Sequence, residues 1–128
     1  MSMHVEVVSP ERILWSGEAE MVIARTTDGE IAFLTGHAPF IGALVIGAVR
    51  VAEPGGHQTA IAVHGGFVEV SHDRVTILSD VAELSADIDA ARARAARDAA
   101  EAALRTEPTP ENEDALRRAT LRLELAAA

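Results

Sequence analysis

Short apolar segments rich in Val and Ile recur through the first two thirds of the chain, each closed off by turn-forming residues, which is the pattern of strand after strand. Val5 and Val7 alternate with Glu6, and apolar runs follow at 21–24, 31–34, 44–51, 59–63, 67–70 and 75–81. Turns are predicted at Ser9-Pro10, Ser16-Gly17, Asp28-Gly29, Pro54-Gly55-Gly56 and Ser71-His72-Asp73, where Gly, Pro, Asn, Asp and Ser meet the dihedral demands of a reversal. Some runs alternate cleanly and others are apolar on both faces. That mixture predicts a small two-sheet β-sandwich, in which inner faces meet and some outer positions are covered as well.

After Ser85 the texture changes to alanine, arginine and acids, without glycine and without proline until Pro108. This is helix composition. Ser85 or Asp87 is expected to cap a first helix, and Thr109 before Pro110 has the cap-plus-first-position form for a second. The short 106–108 link makes the two antiparallel. Ile88, Ala91, Ala95, Ala99 and Ala102 are expected to form one stripe, and Leu116, Ala119 and Leu123, flanked by Leu121 and Leu125, the other. At about 25 cal/mol per Å² of apolar surface, an alanine stripe contributes far less than a leucine one, so the hairpin is a candidate moving part. The predicted organisation is an N-terminal two-sheet β-sandwich over 1–84 followed by a C-terminal antiparallel two-helix hairpin over 85–128.

Charge divides in the same place. Four arginines and eleven acids lie up to Glu83, with all the histidines and glycines, and seven arginines and nine acids lie beyond it. The chain's 128 residues, 48% hydrophobic, suit one domain plus an appendage. A formal charge of −9 speaks against a nucleic-acid partner, which needs a dense cationic face. The sequence has no cysteine, so it can form no disulfide, zinc-thiolate site or thiol nucleophile. Its first residues lack the basic stretch that opens a secretory signal, and its longest apolar run, 38–49, is broken by Pro39 and glycines and is too short for a membrane span. Membrane association is therefore expected through a partner.

Candidate chemistry is sparse. His37, His64 and His72 have none of the spacings of common metal sites, and neither a nucleophile elbow nor a Walker loop occurs. No catalytic residue, metal or required cofactor is expected. Gly36 and His37 before Pro39 form a turn, and Gly65-Gly66 marks a tight hairpin or a close backbone approach. Asp89 and Arg92, three apart, share one helix face and read as an exposed intrahelical ion pair.

Together, Gly29-Glu30-Ile31-Ala32-Phe33-Leu34-Thr35-Gly36-His37-Ala38-Pro39, His64-Gly65-Gly66-Phe67-Val68-Glu69-Val70, Val75-Thr76-Ile77-Leu78 and Ile88-Asp89-Ala90-Ala91-Arg92-Ala93 carry a resemblance. In order and spacing the chain resembles the epsilon subunits of bacterial F-type ATP synthases. The resemblance implies a non-catalytic rotor subunit at the cytoplasmic face of the plasma membrane, bound to gamma and resting on the membrane ring of proton-carrying subunits. It places the Asp28, Gly29 and Glu30 loop toward that ring and His37 near the gamma contact. In ATP-binding relatives the Ile88–Ala93 motif reads the nucleotide, which makes Glu83, Asp89, Arg92, Arg118 and Arg122 the matching positions for ATP as a regulatory ligand. Ala99 departs from those relatives, which place a phosphate-binding arginine there. The resemblance further implies that an extended hairpin offers Arg117, Arg118 and Arg122 to acidic surfaces of the catalytic alpha and beta subunits and so inhibits ATP hydrolysis. A free-standing nucleotide-sensing or ligand-binding β module is the alternative, and a small hydrolase using His37 or His64 a third.

Overall fold

Eight strands and two helices follow one another along residues 2–127, the part of the chain that the computed structural model describes. Met1 and Ala128, the outer ends of the two predicted segments, lie outside the described residues. The strands are β1 (Met3–Val8), β2 (Ile13–Ala19), β3 (Met21–Thr26), β4 (Gly29–Leu34), β5 (Phe40–Ala52), β6 (Gln58–Ser71), β7 (Arg74–Leu78) and β8 (Ala82–Leu84). A single 3-10 turn, Ser85–Asp87, leads into α1 (Ala90–Thr106) and α2 (Pro110–Ala127). A β-sandwich followed by two helices is the predicted architecture.

The two layers are faces of one hydrogen-bonded ladder rather than separate sheets. Its order is β2-β1-β7-β6-β5-β3-β4, with β8 also paired to β6. The long strands β5 and β6 serve both layers, and their burial shows how. In β5 the core positions are Leu44 before the midpoint but Val49 and Val51 after it, and in β6 they are Ile61 and Val63, then Val68 and Val70. Side chains alternate faces with a period of two, so each strand exchanges its inner and outer faces near Val45 and Gly65. Val5, Val22, Phe33, Val49, Ile61 and Ile77, one from each of six strands, then meet in a single core.

Gly65 and Gly66 permit this crossing. Both have positive φ, and a Cβ on Gly66 would stand 2.0 Å from the Leu78 carbonyl oxygen. The pair therefore marks a close backbone approach inside one strand, not a hairpin, and the runs 59–63 and 67–70 are the two halves of β6. Residues 79–81 leave the ladder here, between the β7 and β8 partners of β6.

Ser16-Gly17 is also not a turn. It lies inside β2, which the sequence pattern missed, with Gly17 opposite Val5. A Cβ on Gly17 would come within 3.0 Å of the Trp15 ring, so the glycine makes room for the indole. The predicted reversal at 71–73 is present, with His72 and Asp73 in the left-handed region that two-residue hairpin turns require.

The first helix differs from expectation in phase. In α1 the buried residues are Ala93 and Ala100, whereas Ala91, Ala95, Ala99 and Ala102 are exposed. With alanine at most positions, hydrophobic contrast could not set the rotation. On α2, Leu121 and Leu125 are buried against Ala62 with Ile46, Ala48, Ala60 and Ile88 around them, and Ala119 is buried as well. Thus the hairpin rests on the outer face of β5 and β6 through α2, and α1 packs on α2. Thr109 caps α2 as predicted, its Oγ1 accepting the Asn112 amide at 3.2 Å.

Candidate functional site

The junction of β8, the 3-10 turn and the two helices encloses a cavity of about 350 Å³ lined by Glu83, Asp87, Ile88, Asp89, Arg92 and Arg122, among others. Four of the five nucleotide-candidate residues therefore face one space. Arg118 does not line it; it lines a separate cleft of about 650 Å³ with Arg25, Ile46, His64, Gly65 and Arg117. Ala99 is exposed and is also absent from the walls of the smaller cavity.

Asp89 has a local task that changes the reading of its spacing to Arg92. Its backbone is extended and its carboxylate accepts the Arg92 amide at 3.0 Å, so Asp89, rather than Ser85 or Asp87, is the N-cap of α1. Such a cap contributes about 1 kcal/mol to a helix. The Asp89–Arg92 relation is a cap bond to backbone and not an ion pair between side chains. That leaves the Arg92 guanidinium at the cavity wall.

On the opposite wall, Arg122 donates Nε–H to Glu83 Oε1 at 2.6 Å, and the same oxygen lies 3.2 Å from His64 Nε2. In register Glu83 stands opposite Ala62, and His64 follows two residues along β6, so the three groups meet on the face covered by α2. Burial alone would raise the Glu83 carboxyl, but the hydrogen bonds from Arg122 and His64 and the Arg122 charge outweigh it and hold it below the ordinary carboxylate value. For His64 burial dominates and pushes the imidazole down; the Glu83 hydrogen bond opposes this and the Arg122 and Arg118 charges reinforce it. His64 was not joined to Glu83 and Arg122 in the sequence reading, because nothing in the spacing predicts that β6, β8 and α2 converge there.

The remaining sequence-predicted residues occupy other places. Asp28, Gly29 and Glu30 form the exposed β3–β4 reversal, fixed by Thr26 Oγ1, which accepts the Asp28 amide at 3.1 Å and donates to the Gly29 carbonyl at 2.9 Å. His37 sits in the loop before β5 with its ring edge-on to Phe33 at 5.0 Å and Nδ1 donating to the Ala38 carbonyl at 2.6 Å. The Asp73 carboxylate accepts the Gly36 amide at 2.7 Å and ties that loop to the β6–β7 turn. Arg117 is paired with Asp114 at 2.8 Å on the exposed side of α2.

One surface is not predicted by the sequence pattern. Phe67 lies between Ala43 and Leu78 in register, and Leu78 is opposite Val8, with Ile41 one step along β5. Ile41, Phe67 and Leu78 are 72%, 57% and 48% exposed. Leu78 follows the simple alternation of β7, but Ile41 and Phe67 face outward because β5 and β6 exchange faces, so a single alternation pattern along those strands could not reveal the strip. Among the described residues no cluster of histidines and acids could hold a metal ion, and no helix is long and apolar enough to cross a membrane.

Comparison with known proteins adds a lineage to this geometry. A family model described as the beta-sandwich domain of the ATP synthase Delta/Epsilon chain matches residues 2–85. An ATP synthase epsilon chain of Brevibacillus brevis is 52% identical over 99 residues, 77% of this chain and 75% of that protein. The epsilon chain of Halalkalibacterium halodurans is 44% identical over a 131-residue alignment covering 98% of this chain and 97% of its own. That of Streptomyces griseus is 40% identical over 125 residues, 98% and 95% of the two. Among solved structures, a chain of the Euglena gracilis mitochondrial ATP synthase superposes with a TM-score of 0.84 over 99% of this chain and 82% of that one. At 23% identity that likeness speaks for the fold alone.

Proposed function

This chain belongs to the family of ATP synthase delta/epsilon chains, non-catalytic subunits of that complex, and on that footing we propose that it is a rotor subunit of the central stalk in a proton-translocating F-type enzyme. The sandwich would bind gamma and rest on the membrane ring, peripheral to the cytoplasmic face of the membrane. The hairpin would regulate ATP hydrolysis. The observation that carries the rotor reading is the bare apolar strip of Ile41, Phe67 and Leu78 on an otherwise acidic protein. Contiguous exposed apolar surface of this kind marks an interaction site. The hairpin covers the other half of the β5–β6 outer face, so one face serves both a partner and the regulatory element.

Regulation rests on how lightly the hairpin is held. Two buried leucines, one buried alanine of the sheet and the Glu83–Arg122 pair join it to the sandwich, against a continuous core within the sandwich itself. Released, α2 would present Arg117, Arg118 and Arg122 to acidic surfaces of alpha and beta. Docked, the cavity between Arg92 and Arg122 would take the phosphates of ATP, a ligand that then favours the docked state. Arg92 at the cavity wall supports this reading, and Arg122 would first have to share or leave Glu83.

Affinity-tagged chain mixed with gamma and the catalytic hexamer tests the rotor assignment. It should retain both, and Phe67→Asp, a change at an exposed site, should lose gamma while the isolated chain stays folded. Failure of the unmodified chain to retain gamma would overturn the reading.

A further inference from the structure

The joint between hairpin and sandwich seals in an imidazole. His64 stands on the outer face of β6, two residues from Ala62, and its side chain is 2% exposed. A neutral imidazole that faces a carboxylate must donate to it, so the proton lies on Nε2, 3.2 Å from Glu83 Oε1. Nδ1 is then a buried acceptor without a hydrogen-bond partner among the described residues. A proton added at Nδ1 would create a buried donor with nothing to receive it, on a ring already facing guanidinium groups.

We propose that His64 is a proton-operated positioning residue of this joint: neutral, it holds Glu83 against Arg122 and the hairpin docked, and protonated, it lets the hairpin go. The link to regulation rests on the moving hairpin proposed above; the docking equilibrium is a property of the chain by itself.

Every element packed around His64 contributes to the sign. From β8 comes Glu83, already shared with Arg122 at 2.6 Å, and from the segment before β8 comes Asp80. From α2 come Arg122, Arg118 and Arg117 with Asp114, the last two paired at 2.8 Å, and from β3 comes Arg25. Burial is the largest influence on the docked ring, the Glu83 hydrogen bond opposes it, and the Arg122 and Arg118 charges reinforce it, so the ring is held below its ordinary value. With α2 lifted away, the outer face of β6 meets water and His64 returns to about 6.5. The docked state therefore binds fewer protons than the released one. Docking is at full strength above about pH 6.5 and weakens as pH falls, by up to about tenfold per pH unit, until the docked ring itself titrates. Glu83 titrates in a lower window, below about pH 4.3, and leaves this one to His64.

The test uses the full chain and methyl NMR. Leu121 and Ile46 methyls report docking, Val75 and Ile77 methyls report the sandwich, and the His64 ring protons report their own titration. The Leu125→Ala background loosens the joint so that both states are populated. His64 should titrate below the ordinary imidazole range in the unmodified chain. In the loosened background the docked-to-released ratio should fall by up to about fivefold from pH 6.5 to 5.5. His64→Gln keeps a donor at the Nε2 position but takes no proton, so docking should become flat over that range with the sandwich signals unchanged. Titration of His64 at its ordinary value in the unmodified chain overturns the proposal, and so does an unaltered pH response in His64→Gln. A hairpin that stays docked under every condition, with His64 still depressed, would instead remove the moving-hairpin reading.

Discussion

Leu125→Ala is the change that separates a lightly docked hairpin from an integral part of the fold. Leu125 is 2% exposed and, with Leu121, supplies the large apolar groups by which α2 meets Ala62 and its neighbours. Burying a leucine is worth about 1.5–3 kcal/mol, so two of them set the apolar part of docking at roughly 3–6 kcal/mol before ordering costs. Truncation of a core leucine to alanine costs about 2–5 kcal/mol. The lower end applies here, because the hairpin can lift away instead of keeping a cavity. A loss of about 2 kcal/mol is a factor of roughly 30 in the docking equilibrium. Amide hydrogen exchange reads it directly, since release strips α2 of the tertiary packing that supplies most of a helix's stability in a protein. Amides of α2 around Leu121 should lose about 30-fold in protection while those of Val5, Ile61 and Ile77 keep theirs. Equal loss in helix and sandwich would mean one cooperative unit, and no loss anywhere would mean that the leucines do not hold the hairpin.

Gly66→Ala should destabilise the sandwich by about 3 kcal/mol or more, because it adds a Cβ 2.0 Å from the Leu78 carbonyl at a positive φ; the urea midpoint measures it. For the nucleotide cavity, Arg92→Ala should abolish the ATP response of the α1 amides without altering the sandwich. Ala99→Arg, which adds a guanidinium about one turn beyond Ala96 of the cavity wall, should tighten ATP binding by about one to two decades in a calorimetric titration.

The strands were legible where one face alternates, as in β1, and the hairpin where composition turns wholly to alanine, arginine and acids. The cap at Thr109 was legible because its side chain and Pro110 act within a few residues. Three features were not. β2 was hidden because Ser16-Gly17 has turn composition but uses its glycine to clear the Trp15 ring. The exchange of faces in β5 and β6 was hidden because it depends on Gly66 meeting the Leu78 carbonyl, a contact between strands. The rotation of α1 was hidden because Ala93 and Ala91 are chemically identical, so only Asp89 and the surface of α2 set the phase. The candidate site divides in the same way. Glu83, Asp89, Arg92 and Arg122 do share a cavity, but Arg118 does not, and His64 joins the group only through the pairing of β6 with β8.

The central claim is that the sandwich carries the mechanical role and the hairpin the control. ATP synthesis and ATP hydrolysis measured on one reconstituted complex, assembled with the full chain or with a chain ending at Ala86, test it most directly. Synthesis driven by a proton gradient should persist without the hairpin while hydrolysis rises. Loss of synthesis in step with the hairpin, or hydrolysis that does not change, would contradict it.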